Sequence, residues 1–290
     1  MRSFAQHNPI AVAAALFCVA GIAMFSMDPV VVLLSIAGAL LYFFACFGTR
    51  GVKGLGWLLL LFLAMALINP LTYHNGATVL FVMNNNPITL EALLYGTIAA
   101  GMIITVLFWF RCFSKIMTSD RLLYLFGSLS PKLALILSMT LRYVPLFGQQ
   151  VRKVKQAQKA LGLYRKDNIV DGFRANLRVF SVMVTWALEN GIITADSMTA
   201  RGYGLDRRTH FSVFRFTKAD AALLIGALTL TGAAVWGITG RSISWYPLFS
   251  MTPSTLRVTV GYVCYGLLAM LPVITDAKEA LAWRCYESNI

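Results

Sequence analysis

Arg201 is the residue of this chain whose type and setting best suit it to bind something. It stands in Ala195-Asp196-Ser197-Met198-Thr199-Ala200-Arg201-Gly202-Tyr203-Gly204, where a helical pattern runs into glycine. Gly202 can take the left-handed turn that stops a helix. Arg201 then falls in the final turn, and Ala200 is small enough for another backbone to come close. A guanidinium offers a planar fork of five donors, suited to the carbonyls and carboxylates of a partner's groove. The same residues also fit ordinary helix capping, since a cation at a helix C-terminus satisfies the dipole. Either way the chemistry is docking or capping, not catalysis.

Little else has the spacing of a reactive site. Cys18, Cys46, Cys112, Cys264 and Cys285 lie far apart and make no C-x-x-C pair, which gives neither a metal site nor a disulfide framework. His7, His74 and His210 are isolated. No G-x-x-x-x-G-K string occurs, so the chain carries no phosphate-binding loop of its own. No catalytic residue, cofactor or metal ligand is expected.

The elements around Arg201 belong to a membrane protein. The chain is 58% hydrophobic with a mean hydropathy of +0.69, above the roughly 45–50% apolar content of globular domains. Pro9–Met27, Val30–Phe47, Leu55–Tyr73, Ala92–Phe110, Ala219–Thr239 and Leu256–Thr275 each approach the ~20 residues that a bilayer needs. The first run lacks a small-residue cleavage site and reads as a span rather than a signal peptide. The expected fold is an all-α integral membrane protein of about six transmembrane helices, with a cytoplasmic insertion between spans four and five. Three parts follow: residues 1–110 with spans one to four, 111–218 as the insertion, and 219–290 with spans five and six and a tail.

Charge marks the insertion. Between Arg111 and Lys218 lie 18 of the 25 Lys and Arg residues and 6 of the 12 carboxylates, a net +12 out of +13. Arg2, the Arg50/Lys53 loop, this block and Lys278/Arg284 alternate with loops poor in positive charge, Arg241 and Arg257 being the exceptions. By the positive-inside bias both termini and the block face the cytoplasm. Within it, Ser119-Asp120 starts a short helix and Pro131 a long one. From Val144 the apolar positions Phe147, Val151, Val154, Ala157 and Leu161 keep a helical period up to Gly162, and Pro145 bends the helix. After the polar turn Arg165-Lys166-Asp167-Asn168, a third helix runs from about Asp171 to Arg201. Its polar stripe (Arg174, Arg178, Ser181, Thr185, Glu189, Asp196) marks an otherwise apolar cylinder buried in protein or at the membrane interface.

On the other side, Asn69-Pro70 ends span three, and Asn84-Asn85-Asn86-Pro87 signals a turn. Thr78–Met83 reads as a short extended or re-entrant piece, and Thr89 caps span four with Glu91 near its start. Ala92, Gly96 and Ala100 form a small-residue stripe that lets a helix approach closely. That helix is either another span of this chain or a partner membrane protein.

Over essentially its whole length the chain resembles the transmembrane T component of energy-coupling factor (ECF) transporters, the CbiQ/EcfT-like family. The resemblance rests on His7-Asn8-Pro9, Asn69-Pro70, Thr89-Leu90-Glu91-Ala92-Leu93 with Tyr95-Gly96, Thr118-Ser119-Asp120-Arg121, Leu141-Arg142-Tyr143-Val144-Pro145 and Ala200-Arg201-Gly202. It implies a non-catalytic scaffold in a prokaryotic cell membrane. The scaffold would link two ABC ATPase subunits, a homo- or heterodimer, to a substrate-binding S component for vitamin or metal-ion uptake, cobalt among them. It further implies two ATPase-coupling motifs at helix ends, Ala200-Arg201-Gly202 and Ala160-Leu161-Gly162, with the Ala92, Gly96 and Ala100 stripe as a docking surface for the S component. Leu161 departs from the pattern, because the family usually has Arg there. ATP-driven closure of the ATPases would move the two ends and so tilt or release the S component.

The competing reading is a self-sufficient secondary transporter. Such proteins keep ionisable residues at membrane depth, whereas Glu91 and Asp220 lie at span ends, and no inverted repeat is visible. A membrane enzyme would need a carboxylate pair, Cys/His couple or metal cluster, and none stands out. The basic residues follow amphipathic helices beside a membrane, which favours lipid headgroups over nucleic acid as a further partner.

Overall fold

Pro9, Pro29 and Pro131 each open a helix, where a missing N–H costs nothing. The computed structural model describes residues 4–48, 54–73, 76–83, 86–162, 169–205, 214 and 216–287. Among them run α1 (Pro9–Phe25), α2 (Pro29–Phe47), α3 (Leu55–Thr72), α4 (Leu90–Ile116), α5 (Ser119–Leu129), α6 (Pro131–Ala160), α7 (Ile169–Ala200), α8 (Lys218–Ile238) and α9 (Leu256–Glu287). Two short antiparallel hairpins pair β1 (Val79–Met83) with β2 (Asn86–Thr89), and β3 (Ile243–Ser244) with β4 (Ser250–Met251). The chain divides into two units: Met1–Leu122 with Phe214–Ile290, and Leu123–Val213.

The first unit is a helical membrane bundle. Helices α2, α3, α4, α8 and α9 are long and apolar enough to cross a bilayer. Helix α1 has 17 residues, about 25 Å of rise, at the lower limit for a span. It packs on α8, α4, α2 and α9, and Val12, Leu16 and Val19 are buried along it. Tyr42 of α2 meets Phe4 edge-on and stacks on Trp109 of α4, whose indole N–H donates to the Ser35 hydroxyl at 3.1 Å. Small residues set the closest approaches. A Cβ at Gly38 would lie 2.9 Å from that of Ala269 on α9, and the Gly237 and Gly261 backbones let α8 and α9 touch.

Helix α4 runs past the expected Phe110 to Ile116. Arg111 lies over the Phe43 ring at 5.7 Å and Lys115 over Phe47 at 5.0 Å. These cation–π contacts give the polar last turns something to lean on. The extended piece at Thr78–Met83 proves to be one arm of a hairpin, with Val79 opposite Thr89 and Met83 opposite Asn86. The expected turns at Asn84-Asn85 and Arg165-Lys166-Asp167-Asn168 lie outside the described residues.

In the second unit α6 and α7 pack against each other. The Tyr143 hydroxyl and that of Thr194 are 2.7 Å apart, and Phe147 meets Trp186 edge-on with centroids at 5.3 Å. Further along, Val151 and Lys155 share a groove with Asn176, Val179 and Met183. Position rises on α6 as it falls on α7, so the two helices run antiparallel. Only the seam of α7, Ala175, Val179 and Met183, is buried. Phe173, Phe180, Leu188 and Ile192 are each more than 60% exposed. Of the two expected surroundings of α7, protein or the membrane interface, protein of its own unit covers only this seam, because a single helix, α6, packs along it.

Candidate partner-docking site

The Arg201 end is a complete Schellman cap. Tyr203 N–H donates to Met198 C=O at 2.9 Å and Gly202 N–H to Thr199 C=O at 3.0 Å, with Gly202 at φ +80°. Arg201 is the cap residue itself. Its N–H is shared between the Ser197 and Met198 carbonyls, both at 3.2 Å, while its side chain is exposed. The positive φ at Gly202 is what favours glycine there, since a Cβ would strain that backbone; the Leu205 Cδ1 it would meet at 2.9 Å is the end of a side chain that can shift.

The Leu161 end shares this build as far as Gly162, the last described residue of α6 and its cap. Leu161 N–H donates to Ala157 C=O at 3.1 Å, Gly162 N–H to Lys159 C=O at 3.0 Å, and Gly162 sits at φ +70°. Leu161 thus occupies the position on α6 that Arg201 occupies on α7, and it is 72% exposed. Ala160 and Ala200 precede the two caps and are exposed as well. The antiparallel packing sends the caps in opposite directions. With some 12–16 residues between each cap and the middle of the α6–α7 contact, they stand about 40 Å apart.

The backbones match and the charges do not. In the ten residues before its cap, α6 carries Arg152, Lys153, Lys155 and Lys159 and no carboxylate. The corresponding stretch of α7 carries Asp196 and no cation. Among the described residues Arg201 thus ends a stretch with no other cation, whereas Leu161 is an apolar tip on a cationic shaft.

The small-residue stripe lies elsewhere and is already occupied. Ala92 and Ala100 are buried to within 1% of completely. A Cβ at Gly96 would come 2.8 Å from Ala66 C=O and 2.9 Å from Asn69 Cβ, both on α3. The Asn69 side-chain amide donates to Ala92 C=O at 2.9 Å. Of the two helices the sequence left open for this stripe, α3 of the same chain fills the place at Ala92 and Gly96.

Sequence reasoning missed the polar clasps that tie the bundle together. At one end Asp220 accepts from Asn8 N–H at 3.0 Å and Thr217 N–H at 2.9 Å, and His7 Nδ1 lies 2.7 Å from its Oδ1. Asp276 accepts from Phe4 N–H at 2.8 Å. At the other end Asp28 caps α2 through Val30 N–H at 3.0 Å and accepts from the Tyr262 hydroxyl. Arg241 donates to that same hydroxyl and pairs with Asp28 at 3.5 Å. The bond to Tyr262, and then the Asp28 charge, push the Arg241 guanidinium above its ordinary pKa. Arg257 donates to Trp236 C=O at 2.7 Å and lies over the Trp236 ring at 4.4 Å. The two exceptions to the charge bias thus serve as structural fasteners. His7 and Asp220 stand 213 positions apart, so no local spacing could have paired them. The single hint was that each flanks the start of a span.

Comparison with known proteins agrees with this architecture. The profile of the CbiQ family, described as cobalt transport protein, matches residues 2–211. The energy-coupling factor transporter transmembrane protein EcfT of Listeria innocua serovar 6a is 27% identical over 205 residues, covering 66% of this chain and 75% of its own length. The protein of that name from Lacticaseibacillus paracasei is 33% identical over 103 residues, 35% of this chain and 39% of the relative. A relative from Listeria monocytogenes serotype 1/2a is 23% identical over 198 residues, 64% and 73% of the two chains. With the profile matched over more than half its length, this chain belongs to the CbiQ family.

Proposed function

We propose that this chain is the transmembrane T component of an ECF-type importer, a non-catalytic subunit that joins two ABC ATPases to an S component. The observation that carries the reading is the pair of exposed helix ends, Leu161-Gly162 and Arg201-Gly202, built on the same left-handed glycine cap. Two equivalent caps facing away from each other fit two subunits of a dimer. The caps and the basic α6 face the cytoplasm, and so do both termini. The exposed apolar side of α7, with Phe173, Phe180, Leu188 and Ile192, is the surface left for the S component once α3 has covered the α4 stripe. The cargo is a micronutrient, a vitamin or a metal ion, chosen by the S component.

The test is purification from native membranes in mild detergent. Two ATPase copies and a small membrane protein should accompany the chain, and the isolated chain should neither hydrolyse ATP nor accumulate solute in vesicles. Solute uptake by the chain alone would instead make it a secondary transporter. Orientation is checked in a background without native cysteines. A cysteine at the exposed Leu80 of β1 should react with an impermeant thiol reagent in intact cells, and one at the exposed Gln156 of α6 should not. The reverse pattern would invert the topology.

A further inference from the structure

Two exposed cations stand one turn apart where α4 leaves the bundle, Arg111 and Lys115. Each is laid on an aromatic ring of α2: Arg111 lies 5.7 Å from the centre of the Phe43 ring, and Lys115 5.0 Å from that of Phe47. The rings hold the side chains in place without neutralising them. Among the described residues neither cation enters an ion pair. Arg111 is also pressed against the beginning of α3, where a Cβ on Gly54 would overlap both of its terminal nitrogens. The cations suit the negative end of α4, but the start of α3 is the positive end of its own helix. Its first turn carries no acidic residue and no side chain caps it. Arg50 and Lys53 add two more cations to the sequence between α2 and α3, and they lie outside the described residues. Among the carboxylates of neighbouring elements, Asp220 and Asp276 accept from Asn8, Thr217 and Phe4, Glu279 is buried, and Asp120 opens α5.

The level of this cluster decides what anion it meets. Helix α4 has 27 residues, about 40 Å of rise against ~30 Å of hydrocarbon. Counted from Leu90, the ~20 residues that cross a bilayer end at Trp109, so Arg111 and Lys115 fall at the headgroups. Phe47, the last residue of α2, and Gly54, just before α3, touch the two cations, so three spans end here. Phe44 and Trp57 are exposed beside them and continue the apolar sides of α2 and α3. We infer that Arg111 and Lys115 seat the phosphate of an anionic phospholipid in the leaflet where α4 ends. The guanidinium fork binds two phosphate oxygens, Lys115 adds a point charge, and the acyl chains follow Phe44 and Trp57. A zwitterionic headgroup would bring its own cation against these two. A free phosphate would leave the apolar surface beside them uncovered. The site does not depend on the coupling role proposed above.

The full chain in mild detergent allows a direct test. A phospholipid with a photoreactive group near the head of one acyl chain is used in two forms, phosphatidylglycerol and phosphatidylcholine, and its adducts are mapped by peptide sequencing. On the unaltered chain the phosphatidylglycerol probe should label residues 43–47 and 54–60, and the phosphatidylcholine probe should label them weakly. Equal labelling by both probes, or phosphatidylglycerol adducts confined to other segments, overturns the inference. Displacement by inorganic phosphate beyond that by sodium chloride of equal ionic strength overturns it as well, because the site then takes the free anion. Substitutions give an independent reading. Affinity for phosphatidylglycerol, followed by native mass spectrometry, should fall about fivefold in Arg111→Gln and about fivefold in Lys115→Gln. Melting temperatures of the same preparations show that each variant folds. Arg174→Gln removes an exposed cation of the α6–α7 unit and should leave the affinity unchanged. An equal loss in all three variants would reduce the effect to net charge, and wild-type affinity in both α4 variants would leave the cations without a lipid; either result overturns the site.

Discussion

The six-helix unit and the α6–α7 unit handle their charged groups in opposite ways. In the first, buried and half-buried carboxylates find partners within the unit: Asp28 with Tyr262 and Arg241, Asp220 with Asn8, Thr217 and His7, and Asp276, inside α9, with Phe4. In the second, Arg201, Asp196, Arg174 and Arg178 are exposed, as are Phe173, Phe180 and Leu188. The bundle's fold is specified by bonds within the unit, whereas α6 and α7 leave charged and apolar side chains exposed among the described residues. Substitutions in the two units should therefore fail in different assays.

The largest effect belongs to the open unit. Arg201→Glu should abolish transport and cut ATPase retention by about a hundredfold, since hydrogen bonds to a charged group are worth roughly 1.5–3 kcal/mol each and repulsion is added. Thermal stability of the purified chain should fall only slightly, by the ~0.3–1 kcal/mol that a carboxylate costs at the negative end of a helix. Wild-type retention would reduce Arg201 to a helix cap.

In the closed unit Asp220→Ala should do the reverse. It leaves the Asn8 and Thr217 N–H groups and the His7 ring without their acceptor, at a cost of roughly 3 kcal/mol. The melting temperature in detergent should fall, while the ATPase affinity of the folded fraction should hold. A smaller effect is expected for Gly96→Leu. Overpacking α4 against Ala66 and Asn69 should cost about 2 kcal/mol, again with ATPase binding retained. If Gly96→Leu instead left stability unchanged and displaced only a partner protein, the stripe would be a docking surface after all.

How far the sequence could be read follows the same division. Helix boundaries in the α5–α7 region were legible because each is written in one or two residues: Ser119, Pro131, Gly162 and Gly202 act locally through caps and backbone geometry. The spans were legible from apolar length. The clasps were not, because the pairing of His7 with Asp220, or of Asp28 with Arg241, depends on how six helices assemble. The Ala92, Gly96 and Ala100 spacing said that something comes close, and only packing could say that it is α3. On α7 the apolar cylinder was legible, but its exposure was not, because what covers a face is not encoded in that face. The β3–β4 hairpin, two residues per strand, is too short to leave a period.

The claim that the α6 and α7 ends are the coupling surfaces is tested most directly by amide hydrogen exchange. The chain would be compared alone and in complex with its co-purified ATPase pair, in the same detergent. The predicted result is new protection confined to residues 152–162 and 194–205, with the helices of the bundle unchanged. Protection that leaves both of these stretches untouched, or falls on the bundle instead, would contradict it.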